Sequence, residues 1–232
     1  MRVRPVRLNA TMAWLFVVGS ALFVLGSVPA YVNAVGGTAD SVTYFVGSVF
    51  FTCASYTQLV QAQSPAMLPG PGLADDQPAP ARLRGWLPHD RGWQAAATQF
   101  PGTLFFNIST FAALARNATA QQQDRHVWRP DVFGSTLFLV ASVLGILALG
   151  GGFWTVRARS LPWWIAWINL LGSVLFMASA LASYLVPTTD DFINSRLSVA
   201  GTLWGAVCFL IGAALLLPAW RRAVADVVVD RA

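Results

Sequence analysis

The side chains best placed to do chemistry inside apolar segments of this sequence are amides. Gln58, Gln99 and Asn169 lie within long hydrophobic runs. An amide carries donors and an acceptor, so such a cluster can bond helix to helix, or hold a polar headgroup or a small neutral solute. An unpartnered amide is costly in lipid, which makes interhelical bonding the simpler of these readings. Gln58 lies eleven residues after Gly47, while Gln99 and Asn169 lie three before Gly102 and Gly172. At about 100° per residue these offsets fall roughly 20° and 60° from the respective glycines on a helical wheel. Because the helix of Gln58 runs opposite to the other two, all three amides tend toward the same leaflet. Asn107 falls off this face and receives no role.

Other reactive residues form weaker constellations. His89-Asp90 and Asp124…His126 are loop pairs lacking a third ligand at metal-binding spacing, and read as solvated. Asp190-Asp191 has the charge to attract a cation, yet adjacent loop acids are ordinarily just hydrated. Cys53 and Cys208 sit in separate apolar runs, where small sulfur side chains pack, and make no zinc site. Trp163, Trp164 and Trp167 suit an interfacial belt better than a ligand cage. Asn107-Ile108-Ser109 and Asn117-Ala118-Thr119 match the glycosylation pattern, the first inside a hydrophobic run. No nucleophile–base set and no ionisable side chain falls within the apolar runs, so enzyme activity and carboxylate-driven transport are disfavoured. No cofactor and no metal is expected.

The elements that position these residues repeat. Six times a glycine is followed four residues later by phenylalanine: Gly19 and Phe23, Gly47 and Phe51, Gly102 and Phe106, Gly134 and Phe138, Gly172 and Phe176, Gly205 and Phe209. Five of the six glycines precede a serine or threonine, and Gly205 precedes Ala206. Seven residues after each glycine stands another small residue: Gly26, Ala54, Ser109, Ala141, Ser179 and Gly212. Offsets of four and seven share one helical face, so each run presents a small–Phe–small stripe suited to close helix packing. Lining a pore is the alternative use of such a stripe. Six phenylalanines near the helix centres favour a filled, dry axis. Leucine at Gly102 or Gly172 is expected to be harmful, and at Gly151, outside the stripe, to be tolerated better.

Of 232 residues, 56% are hydrophobic and 11% charged, with mean hydropathy +0.56. A soluble domain carries about 25% charge, so the composition indicates an all-α membrane protein. Spans are expected at about 12–34, 42–62, 93–115, 132–154, 161–186 and 197–218, each able to cross a hydrocarbon layer of roughly 30 Å. With six spans, Arg2, Arg4, Arg7, Arg82, Arg84, Arg91, Arg157, Arg159, Arg221, Arg222 and Arg231 share one side. Arg116, Arg125, Arg129 and Arg196 take the other. This asymmetry places both termini in the cytoplasm. The net charge of +5 and the pI near 10.0 then reflect topology and anionic lipid, rather than nucleic acid. Lysine is absent, and Ala, Val, Gly and Arg are abundant, which suggests a GC-rich bacterial genome and a plasma-membrane location. The N-terminal run resembles a signal peptide up to Val32-Asn33-Ala34, but it shares the stripe of the other five and is expected to be retained.

The motif glycines pair at separations of 28, 32 and 33 residues, which indicates three tandem helical hairpins. The expected units are 1–62, 93–154 and 155–218, with a Pro/Gly-rich cytoplasmic linker at 63–92 and a cytoplasmic tail at 219–232. Prolines at 65, 69, 71, 78, 80 and 88 argue against helix in the linker. Trp93-Gln94-Ala95-Ala96 aligns with Trp163-Trp164-Ile165-Ala166, extending the repeat upstream.

Residues 12–62 resemble the bacterial YrhK-like membrane domain. The likeness rests on Phe16-Val17-Val18-Gly19-Ser20-Ala21-Leu22-Phe23 and on Phe45-Val46-Gly47-Ser48-Val49-Phe50-Phe51. It covers about a fifth of the chain and implies a bacterial integral membrane protein of uncharacterised function, with no catalytic residues to carry over. The expectation is therefore a non-enzymatic protein acting by helix packing or protein–lipid interaction. Its partners would be membrane lipids, a second copy of itself or another membrane protein. A channel or facilitator for a small neutral solute, and a subunit docking through 63–92, are the alternatives.

Overall fold

The computed structural model describes residues 2–68, 76–115, 119–186, 188–189 and 191–229. Pro69, Pro71, Arg116, the Asn117 triplet's first two residues, Asp190 and Arg231 lie outside them. The chain is all-helical, with α1 Pro5–Gly26, α2 Pro29–Val35, α3 Gly37–Ala62, α4 Arg91–Ala112, α5 Ala120–Gln123, α6 Arg129–Ala148, α7 Leu161–Ala182 and α8 Ser195–Val229. A π-helical turn at Asp124–Trp128 joins α5 to α6, making one continuous helix, Ala120–Ala148. Four helices are long and apolar enough to cross a membrane: α1, the α5–α6 helix, α7 and α8. α3 and α4 carry more hydroxyl and amide residues and fall below that hydropathy.

Each of the six long helices packs against two others, in the order α1, α3, α4, α6, α7, α8 and back to α1. The order closes into a ring. α1 and α3 run antiparallel, since Gly26 abuts Tyr44 while Gly19 abuts Gly47 and Phe51. Gly172 against Gly205, with Gly201 against Ser179, does the same for α7 and α8. The α3–α4, α6–α7 and α7–α8 contacts also bond side chain to side chain, while the α4–α6 contact does not among the described residues. Ser48 and Thr110 hydroxyls lie 2.9 Å apart across α3 and α4, and Ser142 and Ser173 lie 2.8 Å apart across α6 and α7. Among the described residues no such bond joins α1 to α8, although the two helices pack together and both contribute to the apolar core, α1 through Phe16 and α8 through Ala213.

Several boundaries differ from the expected spans, each for a local reason. The run expected at 12–34 starts earlier, at Pro5, whose missing N–H costs nothing in a first turn. It breaks before Pro29, where the Ser27 hydroxyl donates to the Phe23 carbonyl at 2.8 Å. The run expected at 132–154 ends at Ala148. Gly150, Gly151 and Gly152 follow with φ of 75°, 79° and 91°, a left-handed turn that favours glycine. The Arg157 guanidinium holds the freed carbonyls of Leu149 and Gly150. Gly151 is thus unsuited to leucine for its own reason, contrary to expectation. Beyond residue 218 the chain does not leave helical structure, because α8 continues through Pro218 to Val229.

The linker is also more structured than its prolines suggest. Pro65–Met67 forms a 3-10 turn, and Ala79–Pro80 pairs antiparallel with Arg2–Val3. Met67 and Ala81 pack into a small core with Leu8 and Val60. The Gln63 amide donates to the Arg82 carbonyl at 2.7 Å, and the Arg82 N–H donates to the Ser64 hydroxyl at 2.8 Å. The described residues of this segment are docked onto the Arg2–Val3 strand and the neighbouring helix ends. A second two-residue ladder, Leu185–Val186 with Asp191–Phe192, closes the turn before α8.

Candidate functional site

The stripe points inward on all six long helices. Every motif glycine, the residue after it, the phenylalanine and the small residue at the seventh position is buried. The glycines meet in pairs: a methyl group on Gly19 would stand 3.0 Å from the Gly47 carbonyl oxygen, one on Gly134 would stand 3.1 Å from that of Gly102, and one on Gly172 would stand 3.1 Å from that of Gly205. Across each pair, the phenylalanine of one helix covers the glycine of the other. This clears the way for the six rings to converge. Phe23 contacts Phe176, Phe51 contacts Phe138 and Phe209, and Phe106 contacts Phe176, with ring centroids 5.8–6.1 Å apart. These rings belong to helices that are not neighbours in the ring, so they meet only through its centre. The layer leaves a void of about 10 Å³ beside Ser20, Ser48 and Thr103, at the lower limit of what one water needs.

On the side of the chain termini the axis opens. A cavity of about 340 Å³ is lined by residues of all six long helices, among them Asn9, Gln58, Gln99, Gly145, Asn169 and Trp220. A smaller one of about 70 Å³ shares Gln58, Gln99 and Asn169 with it and ends against Phe16, Phe51 and Phe209. The structure thus brings the three sequence-picked amides together between the opening and the aromatic layer. Gln99 Nε2 donates to Gln58 Oε1 at 3.2 Å. Asn169 Oδ1 is buried without a partner, and so is the indole N–H of Trp220. The Asn169 amide rests against Gly212 of α8, where any side chain would collide with it.

Asn9, Gln61, Ser142 and Trp220 also line the cavity, and sequence reasoning missed them. Asn9, only 3% exposed, lies upstream of the expected first span, and Trp220 lies in the expected tail. A signal for Gln61 was present: it is one helical turn after Gln58, on the same face. Asn107, which received no role, has a buried unpartnered Oδ1.

The remaining candidates take structural duties. Asp90 caps α4, its carboxylate accepting from the Trp93 N–H at 2.6 Å. Asp124 pairs with Arg129 at 2.8 Å, not with His126. Trp163 and Trp164 donate their indole N–H groups to the carbonyls of Thr155 and Ala158, both at 2.9 Å, and their rings meet edge to face, with the Trp167 ring 5.9 Å from that of Trp163. Cys53 is exposed and Cys208 half-buried, and both are free thiols. Among the described residues no group of three or more His, Cys, Asp or Glu is placed to hold a metal.

No family model, no curated protein and no solved structure matches this chain.

Proposed function

We propose that this is a non-enzymatic, six-span protein of the bacterial plasma membrane, built as three tandem hairpins with both termini cytoplasmic. Its axis is closed, and it acts through contacts with lipid or with other membrane proteins, itself included. The YrhK-like reading of residues 12–62 belongs to this proposal. Support for six spans comes from the ring's outer face, where each long helix turns an aliphatic side chain outward: Val18, Val49, Leu104, Val140, Val174 and Ile211, between 37% and 47% exposed. Water penalises such a belt and lipid does not. Four of the polar groups that lower the hydropathy of α3 and α4 bond to each other, through Ser48–Thr110 and Gln58–Gln99.

The observation that carries the closed-axis reading is the layer of six phenylalanines, each no more than 9% exposed. A hydrated path needs a gap through these interlocked rings wider than the void found there. Purified protein in liposomes should pass no water, ion or small neutral solute above empty vesicles. The axial cavity favours a second reading, a facilitator whose inner vestibule holds the amides. Flux that falls when Gln99 and Asn169 are both changed to leucine would replace the first reading with the second.

A further inference from the structure

We propose that the groove between α6 and α7, at the end of the bundle away from the chain termini, holds the headgroup of a phospholipid that joins a phosphate to a primary ammonium, as phosphatidylethanolamine does. The proposal rests on the membrane-spanning reading above and names the lipid and the site of contact.

Depth argues first. Arg129–Ala148 is 20 residues of helix, about 30 Å at 1.5 Å per residue, which matches a hydrocarbon layer of roughly 30 Å. The π-helical turn Asp124–Trp128 then stands just beyond the acyl chains, in the headgroup layer. The indole of Trp128 and the phenol of Tyr184, rings 4.8 Å apart and edge to face, suit that depth.

The turn itself builds the site. In a regular α-helix, residues five apart point about 140° away from each other. Here the Arg129 N–H reaches back five residues to the Asp124 carbonyl. The wider turn brings both side chains to one face, where Arg129 Nη2 lies 2.8 Å from Asp124 Oδ2. Turns of this kind often mark functional sites. The Trp128 indole donates to the Ala180 carbonyl at 2.9 Å, which fastens the turn to α7. On the opposite wall the Ile193 N–H donates to the Tyr184 carbonyl at 3.0 Å, so the ladder before α8 holds Tyr184 and Ile193 in place. The result is an open groove of about 480 Å³, lined by Asp124, Trp128, Arg129, Leu181, Tyr184 and Ile193.

Charge selects the occupant. Arg129 directs both Nε and Nη2 to one carboxylate oxygen, Asp124 Oδ2. Among the described residues nothing bonds to Asp124 Oδ1 or Arg129 Nη1, and the two side chains are 24% and 60% exposed, so a ligand can reach both. A zwitterionic headgroup laid alongside the pair in the opposite sense sets its phosphate on the guanidinium, a strong charge-assisted contact, and its ammonium on the carboxylate. A primary ammonium has N–H donors for Oδ1, and a quaternary one has none. A headgroup with a phosphate and no ammonium leaves the carboxylate facing a like charge. Leu181 and Ile193, both exposed, offer the glycerol end of the lipid an apolar wall.

The test titrates the full chain in detergent with dioleoylphosphatidylethanolamine and reads bound lipid by native mass spectrometry. Dioleoylphosphatidylcholine and dioleoylphosphatidylglycerol, with the same acyl chains, are the comparisons. The ethanolamine lipid is expected to bind roughly fivefold or more tightly than either. Asp124→Asn and Arg129→Gln should each remove that preference. An exposed ion pair adds little to stability, so both variants should fold. Equal or tighter binding of either comparison lipid by the wild type, a result that needs no variant, overturns the proposal. So does a preference that survives in either variant. Liposome flux and the orientation of the chain are read separately: a leaky axis or an inverted topology leaves the headgroup preference standing, and loss of the preference leaves the spans standing.

Discussion

At the scale of single residues, the paired glycines set how close two helices come, and closeness decides whether the rings reach the axis. Leucine at Gly172 would drive into the Gly205 carbonyl and Cys208, both 3.1 Å from a first carbon there. Overpacking of this kind costs about 1–3 kcal/mol. Gly172→Leu should therefore lower the melting temperature in detergent, whereas Gly37→Leu, with nothing within 4 Å, should leave it nearly unchanged. Equal losses would remove the link between the repeat and packing. The stripe was legible because its period is helical and its residue types are few. The axial cavity was not, because its lining includes Gly145, where a Cβ would meet nothing within 4 Å, and a missing side chain leaves no mark until helices are placed around it.

At the scale of elements, helix ends carry information that hydropathy misses. Asp90 accepts from the Trp93 N–H at the start of α4, and replacing such a cap with alanine costs about 1 kcal/mol. Asp90→Ala should speed amide exchange in the first turn of α4, with Asp90→Asn close to wild type; a uniform response along the helix would deny the cap its role. The same residue shows why its part was hidden in the sequence. Beside His89 it reads as a solvated loop acid, and only the start of the following helix turns it into a cap. The short elements of the linker were hidden for a related reason. Its prolines exclude long helix, but they leave room for a short 3-10 turn and a two-residue ladder, and Met67 supplies the buried anchor.

At the scale of the whole molecule, the arginine asymmetry and the ring together make a topology that labelling can check. In a chain with Cys53→Ser and Cys208→Ala, a cysteine at Leu83 should be shielded from a membrane-impermeant reagent in intact cells. One at Gln121 should react. The reverse pattern would invert the proposed orientation. The ring has one further consequence, which concerns its manufacture. Its hydroxyl-bonded contacts join helices made one after another, but the contact that closes it joins the first helix to the last. About 170 residues separate Gly26 from Ser195, roughly 10–30 s of synthesis at ~5–20 residues per second. Throughout that interval the flank of α1 that later meets α8 is without its partner. A seam with no side-chain hydrogen bond among the described residues has none to leave unmade while it waits, so a bundle still lacking α8 is expected to keep its other hydroxyl-bonded contacts intact.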